Sequence, residues 1–176
     1  MSTDARDTEP EPETELGAFS SPGAVPTAWA EGRAALRDAP LWWLSTVRPD
    51  HRPHVTPLIG VWLAGAAYFC TGREERKARN LAVNPSVVLT TGRADLTGLD
   101  VVLEGTAVPV HDRAELDRVA GTYEGKYGGR FTDPDGTWYG LADAMRAGDA
   151  LVYRVVPATV FGFGKGHTYS QTRWRF

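Results

Sequence analysis

Short apolar runs separated by turn residues dominate the chain from residue 41 onward. Seven of these runs are predicted as strands: Leu41–Val47, Pro53–Leu63, Ala66–Cys70, Ser86–Thr91, Val101–Val110, Asp149–Pro157 and the shorter Thr159–Gly164. The second run is expected to bend near Pro57 and Gly60, because proline and glycine weaken a regular strand. Since most connections are short turns, such as Arg48-Pro-Asp-His51, the strands are expected to be antiparallel.

Helical spacing appears in three places between these runs. A short helix is predicted to start at an N-cap, Thr27, and to stop before Pro40. A second is predicted from about Glu74 to Val83, and a third from the cap His111-Asp112 to about Tyr123, followed by a loop over residues 125–136. These elements together predict a mainly β fold, a six-stranded antiparallel Greek-key β-barrel, closed or half-open, with short flanking helices.

Residues 1–25 lack apolar periodicity and are rich in Pro, Glu, Ser and Thr. We therefore predict a disordered acidic tail over residues 1–25 and one folded domain over residues 26–176. The first 16 residues carry six acidic side chains and one arginine, whereas the whole 176-residue chain has a net charge of −3. The folded part is thus mildly basic, which does not favour nucleic-acid binding but is compatible with a small anionic ligand.

Other composition features narrow the function classes further. The single cysteine, Cys70, excludes an intrachain disulfide, and no His, Asp or Glu set has metal-ligand spacing. No Ser-His-acid arrangement indicates a hydrolase. The sequence has neither a signal-peptide pattern nor an apolar run of membrane-spanning length, so a soluble cytoplasmic protein is expected.

The segment Thr71–Leu81 combines a strand end, a Thr-Gly turn and a cationic helix. At helical spacing Arg73, Lys77 and Asn80 fall on one face, which is typical of a phosphate site. The alternative is a solvated helix face on which Glu74 and Glu75 partly neutralise the cations. The spacing alone leaves both interpretations open.

Three segments resemble the pyridoxamine 5′-phosphate oxidase-like flavin-binding split barrels. The first is Ser45–Pro57, which resembles the opening hairpin. The second is Tyr68–Leu81 followed by Asn84–Leu89, which resembles the phosphate-binding turn and helix, and the third is Asp100–Val108, which resembles the next strand with its Glu-Gly pair. The resemblance covers roughly residues 28–165. It implies a homodimer with FMN or the deazaflavin coenzyme F420 in each of two interface clefts, and hydride transfer to a small-molecule substrate. Some members of the family bind haem instead.

The resemblance also implies roles for individual residues. Arg76 and Lys77 match the pair that grips the cofactor phosphate, and Thr71 matches the turn residue that also reaches it. His54, Val55, Thr56 and Pro57 match the strand along the ring, and Phe69 is a further candidate on the strand before the turn. No catalytic side chain is identified, because the bound ring itself carries the hydride.

Two features depart from the family pattern or lie outside it. Glu75 stands where the oxidases usually have serine before the Arg-Lys pair, and the oxidases' vitamin B6 segment is missing, so a true pyridoxamine 5′-phosphate oxidase is not expected and the deazaflavin is favoured. At the end of the chain, Trp174 could pack on the ring and Arg173 or Arg175 could pair with anionic groups. The alternative there is a frayed terminus, or packing on the partner subunit.

Two rival functions remain at this point. The chain could be a non-catalytic flavin-, deazaflavin- or haem-binding storage protein. Its site could also be vestigial, with the dimer acting as an interaction domain through the acidic tail.

Overall fold

The computed structural model describes residues 9–92, 95–131 and 140–176. In this part of the chain the strands are β1 Glu13–Leu16, β2 Trp42–Val47, β3 Pro53–Leu58, β4 Gly60–Leu63, β5 Ala66–Thr71, β6 Ser86–Thr91, β7 Gly98–Pro109, β8 Leu151–Lys165 and β9 Ser170–Arg175. The helices are α1 Trp29–Asp38, α2 Arg76–Leu81, α3 Arg113–Phe131 and α4 Leu141–Ala147. The mainly β antiparallel fold is confirmed, with more strands than the six predicted.

The strands form one antiparallel sheet that splits at β8. The order is β1-β9-β8-β7-β6-β2-β3, while β5 pairs with both β4 and β8. One edge of β8 runs along β7, whereas its other edge pairs first with β5 and then with β9. Since only Ile59 separates β3 from β4, this bent segment carries the sheet back on itself and closes the barrel. The predicted bend in Pro53–Leu63 is confirmed.

Two apolar cores hold these layers together. The larger lies between β2, β5, β6, β7 and β8 and contains side chains such as Trp42, Leu89 and Leu103. The smaller lies where α3 and α4 cover β4 and β5. There the hydroxyl of Tyr127 donates to the Gly60 carbonyl at 2.9 Å.

Helix α3 is longer than the sequence predicted. The Asp112 carboxylate caps it by accepting from the Glu115 N–H at 2.8 Å, as expected, but the helix continues past Tyr123 to Phe131. The predicted loop is therefore wrong for residues 125–131, and residues 132–136 lie outside the described part. Burial of Tyr123 and Tyr127 against the barrel overrides the low helix propensity of the local glycines.

The beginning of α1 also differs from the prediction. Ala28, not Thr27, is its N-cap, and the Thr27 N–H donates instead to the hydroxyl of Thr172 at 2.9 Å. The helix ends before Pro40, as predicted. No helix in the described ranges is long and apolar enough to cross a membrane.

The N-terminal segment contains a strand where disorder was predicted. Strand β1 pairs with β9 from Glu13 opposite Arg175 to Leu16 opposite Thr172. Arg173 forms an ion pair with Glu15, and Arg175 pairs with Glu13 at 3.0 Å. The prediction of a disordered tail over residues 1–25 is thus wrong at Glu13–Leu16, because a backbone ladder and opposite charges compensate for ordering this segment. Residues 1–8 lie outside the described part.

Candidate functional site

Helix α2 begins later than the sequence predicted, and this changes which side chains share its faces. Glu75 has an extended backbone (φ −70°, ψ 151°), so the helix starts at Arg76 instead of Glu74. Arg73 therefore lies outside the helix, and its guanidinium donates to the Gly148 carbonyl at 3.0 Å. The prediction that Arg73, Lys77 and Asn80 share one helix face is wrong for Arg73. Lys77 and Asn80 both lie on α2, and both are buried.

The buried face of α2 is hydrogen-bonded to the hairpin of β2 and β3. The Asn80 amide donates to the Thr46 hydroxyl at 2.9 Å, and that hydroxyl lies 3.3 Å from His54 Nδ1. Thr46 and His54 are opposite each other in the β2–β3 ladder. The short polar chain therefore holds α2 at the end of the strand that the sequence associates with the cofactor ring.

Positive charge surrounds His54. Burial, followed by the positive charges of Arg48, Arg76 and Lys77, lowers the pKa of His54 below its usual value. The imidazole is consequently neutral at pH 7, and the net charge around it is positive. We refer to the following six residues as the polar cluster: Thr46, Arg48, His54, Arg76, Lys77 and Asn80.

Two atoms of the polar cluster are buried without a hydrogen-bond partner among the described residues. They are Nε of Arg48 and Oδ1 of Asn80. Buried polar atoms are normally satisfied, so a polar ligand that reached either atom would gain a hydrogen bond. Cations, an uncompensated guanidinium N–H and an amide oxygen fit the phosphate and polyol part of a flavin-type cofactor.

The carboxylate of Glu75 is held by one donor from the turn before α2 and one from α2 itself. The Gly72 N–H donates to Glu75 Oε1 at 2.8 Å, and the Lys77 ammonium pairs with Glu75 Oε2. The hydroxyl of Thr71 donates to the Gly72 carbonyl at 3.3 Å. Thr71 is itself buried at the end of β5. The turn is therefore built to hold an anion.

Strand β3 carries His54 of the polar cluster on one face, apolar side chains on the other face, and backbone groups along its outer edge. It pairs with β2 on one side and ends the sheet path, so no described strand pairs with the alternate N–H and C=O groups along its other edge. Val55 and Pro57 point outward and are exposed, whereas His54 and Thr56 are half-buried. An edge of this kind suits a flat ring that needs a few backbone bonds and an apolar surface.

The structure thus brings together most of the predicted cofactor residues. His54, Val55, Thr56 and Pro57 lie on β3, and Thr71, Arg76 and Lys77 lie around the turn and α2. The remaining predicted residues, Phe69, Trp174 and Arg175, are elsewhere.

Phe69 and Trp174 are fully buried in the larger core. Phe69 stacks on Tyr153 with a centroid distance of 5.3 Å, and both edges of its strand are paired. Trp174 packs against Trp29 at 5.4 Å. A fully buried ring cannot stack on a bound cofactor, so the predictions for these two residues are corrected.

Arg175 is exposed on β9 and engaged with acids of β1. It pairs with Glu13 at 3.0 Å and with Glu15 at 3.5 Å. The predicted pairing of Arg175 with a cofactor is therefore replaced by an ion pair within the chain, since the acidic N-terminal segment lies directly beside it.

Thr46 and Arg48 were not predicted as site residues. The tight turn at Arg48–His51 indicates Thr46, because this turn sets the register of the hairpin and so places Thr46 opposite His54. Burial raises the pKa of the Cys70 thiol to about 11, which disfavours the reactive thiolate.

The fold occurs in several solved structures. A conserved hypothetical protein from Mycobacterium tuberculosis is 24% identical, with a TM-score of 0.65 over 85% of this chain and 89% of that one. A protein named F420 reductase is 24% identical, with a TM-score of 0.55 over 72% and 94%. HutZ, a haem-storage protein from Vibrio cholerae, is 21% identical, with a TM-score of 0.57 over 78% and 92%.

Comparison with family models assigns the chain to a family more directly than the similar structures do. Among curated proteins none matches. The family model described as pyridoxamine 5′-phosphate oxidase matches residues 28–163, which include the polar cluster, the turn before α2 and most of the barrel. The chain therefore belongs to the pyridoxamine 5′-phosphate oxidase family of split barrels.

Proposed function

We propose that the chain is an oxidoreductase that binds a flavin or deazaflavin and passes a hydride between it and a small organic molecule. The observation that carries this proposal is the polar cluster on α2 and the β2–β3 hairpin, next to the edge of β3 that no other described strand covers. Lys77 and Arg76 supply the charge for a phosphate, while Val55 and Pro57 supply an apolar surface for a ring. When bound, the ring system supplies the hydride chemistry.

The protein's own residues act by binding and orientation. Lys77 is held by α2 with little freedom to move, because its stem is buried and its ammonium is engaged by Glu75. Asn80 and Thr46 keep His54 in place through hydrogen bonds. The neutral His54 adds no positive charge at pH 7, so attraction of an anionic group depends on Arg48, Arg76 and Lys77.

Coenzyme F420 is the cofactor that we favour over FMN. Glu75 places a carboxylate next to the phosphate donors, which disfavours a strongly charged phosphate. The similarity to a structure named F420 reductase also supports this choice.

The cofactor itself can be tested by titration of the purified protein. Added F420 is expected to lose fluorescence on binding, whereas a copurified flavin would give a flavin absorbance band and haem a Soret band. The Soret outcome would favour the second candidate, a haem-storage protein, which the similarity to HutZ supports. Failure to bind any of the three cofactors would reject both candidates.

We further propose that the cofactor site is completed by a second copy of the chain. The outer face of β2, β3, β6 and β7 carries an open cavity of about 440 Å³ that is lined by residues such as Ser45, Val88 and Thr106. Trp43, which is 48% exposed, and Val55, which is 54% exposed, flank the cavity on neighbouring strands. Apolar surface of this kind beside a half-open site fits an isologous dimer.

Substitution of Trp43 by glutamate is expected to break this dimer. The change places a charge within the exposed apolar surface of the proposed interface and should raise the dimer dissociation constant by about tenfold or more. Sedimentation equilibrium measures it. Leu96→Glu is the control, because Leu96 is also exposed but lies in the loop before β7. A monomeric wild-type protein, or an equal effect of both variants, would contradict the proposal.

A further inference from the structure

Glu75 occupies the position that an anionic ligand would need. Its two carboxylate oxygens accept from the Gly72 N–H at 2.8 Å and from the Lys77 ammonium. These two groups are donors that the turn and the first residues of α2 offer to a phosphate. In the free protein they are thus already bonded to a carboxylate of the chain itself.

The carboxylate of Glu75 is ionised, and its side chain is partly open to solvent. Burial opposes its ionisation, but hydrogen bonds from Lys77 and Gly72 prevail and lower the pKa of Glu75 below its usual value. Its side chain is 50% exposed, whereas that of Lys77 is 10% exposed. Glu75 can therefore rotate into solvent when a ligand arrives, while Lys77 stays in place.

Displacement of this carboxylate has a cost that depends on the ligand's charge. A phosphate monoester carries close to two negative charges at pH 7. A phosphate diester carries one, because it has a single ionisable oxygen. Since Glu75 remains attached next to the site after it rotates away, its repulsion of a monoester is greater than its repulsion of a diester.

We infer that Glu75 is a specificity-determining residue, which selects a ring cofactor with a singly charged phosphate diester over one with a phosphate monoester. This inference rests on the proposed function. It gives a physical reason for preferring the deazaflavin, whose phosphate is a diester, over FMN, whose phosphate is a monoester. It also assigns to Glu75 a role in ligand choice that Lys77 and Arg76 do not have, since these two cations attract a phosphate monoester and a phosphate diester alike.

The test compares FMN with riboflavin, which has the same ring and no phosphate. For wild type and Glu75→Gln, dissociation constants of both ligands are measured by fluorescence titration, and their ratio isolates the contribution of the phosphate. We expect Glu75→Gln to bind FMN about tenfold more tightly, a typical effect for a charge in direct contact, with riboflavin unchanged. Binding of F420 should change by less than about threefold.

Two further variants make the result specific. Glu74→Gln removes the same charge one residue earlier and should leave the ratio of the two constants unchanged. Glu75→Ser replaces the carboxylate by a smaller side chain and should act like Glu75→Gln. Agreement between the two variants shows that the effect comes from loss of the charge and not from the new amide of glutamine.

The possible failures have different patterns. If the ring ligands bind but the ratio is the same in wild type and Glu75→Gln, or if Glu74→Gln shifts it equally, the inference is rejected and the proposed function stands. If no ring ligand binds to any variant, the proposed function is rejected, and the inference falls with it.

Discussion

Trp174→Ala should lower the free energy of unfolding by about 3–5 kcal/mol, the usual cost of truncating a buried tryptophan. The side chain is fully buried between α1 and the sheet and contacts Trp29 edge-on at 5.4 Å. Gly32 and Gly162 leave room for it, because a Cβ on either would come within 3 Å of the indole. The cavity left by alanine cannot collapse easily between a helix and a strand ladder. Urea denaturation measures the loss.

Phe19→Ala is the matched control for this prediction. Phe19 is also aromatic and near a chain end, but it is 84% exposed, so its removal should change stability by less than about 0.5 kcal/mol. The same experiment separates the two roles considered for Trp174. If Trp174→Ala left stability unchanged and weakened cofactor binding instead, the indole would belong to the cofactor site and its assignment to the core would be wrong.

Lys77→Ala should weaken binding of the phosphate-bearing cofactor by about 1–3 kcal/mol, or about 5- to 150-fold. The ammonium is a buried cation beside the Thr71–Glu75 turn, and no other side chain of α2 both carries a charge and faces inward. Fluorescence titration of the cofactor measures the change. Riboflavin, which lacks the phosphate, should bind both proteins equally.

Two variants sharpen the test of Lys77. Lys77→Met keeps the buried stem and removes only the charge, so it should reproduce the loss seen with alanine if electrostatics are responsible. Arg79→Ala removes a cation from the exposed face of the same helix, where the guanidinium donates to the Glu74 carbonyl, and should have little effect. An unchanged dissociation constant in Lys77→Met would remove this residue from the site.

Much of the barrel could be predicted from local pattern. The strands from Leu41 to Val110 and the bend between Pro53 and Leu63 appear because alternation, proline and glycine act over a few residues. The turn at Arg48–His51 is also local, and His51 adopts the left-handed conformation there (φ 64°). Such signals do not depend on the rest of the fold.

The end-to-end pairing of β1 with β9 was not predictable in this way. Glu13 and Arg175 are opposite each other because β9 pairs with β1 on one edge and with β8 on the other. An acidic segment rich in proline is typical of disorder when read alone. Its partner is at the other end of the chain, and no local periodicity records a contact over that separation.

In the candidate site, too, some features follow from the sequence and others only from the tertiary structure. The sequence by itself determined the residue types: a cationic pair, a turn with threonine and glycine, and a strand that contains His54. Only the tertiary structure decided that Thr46 and Asn80 link these parts, that Trp174 lies in the core, and that Glu75 binds the donors of the turn. The physical reason is that residue types and spacing define which interactions are possible, whereas burial and strand register decide which groups meet.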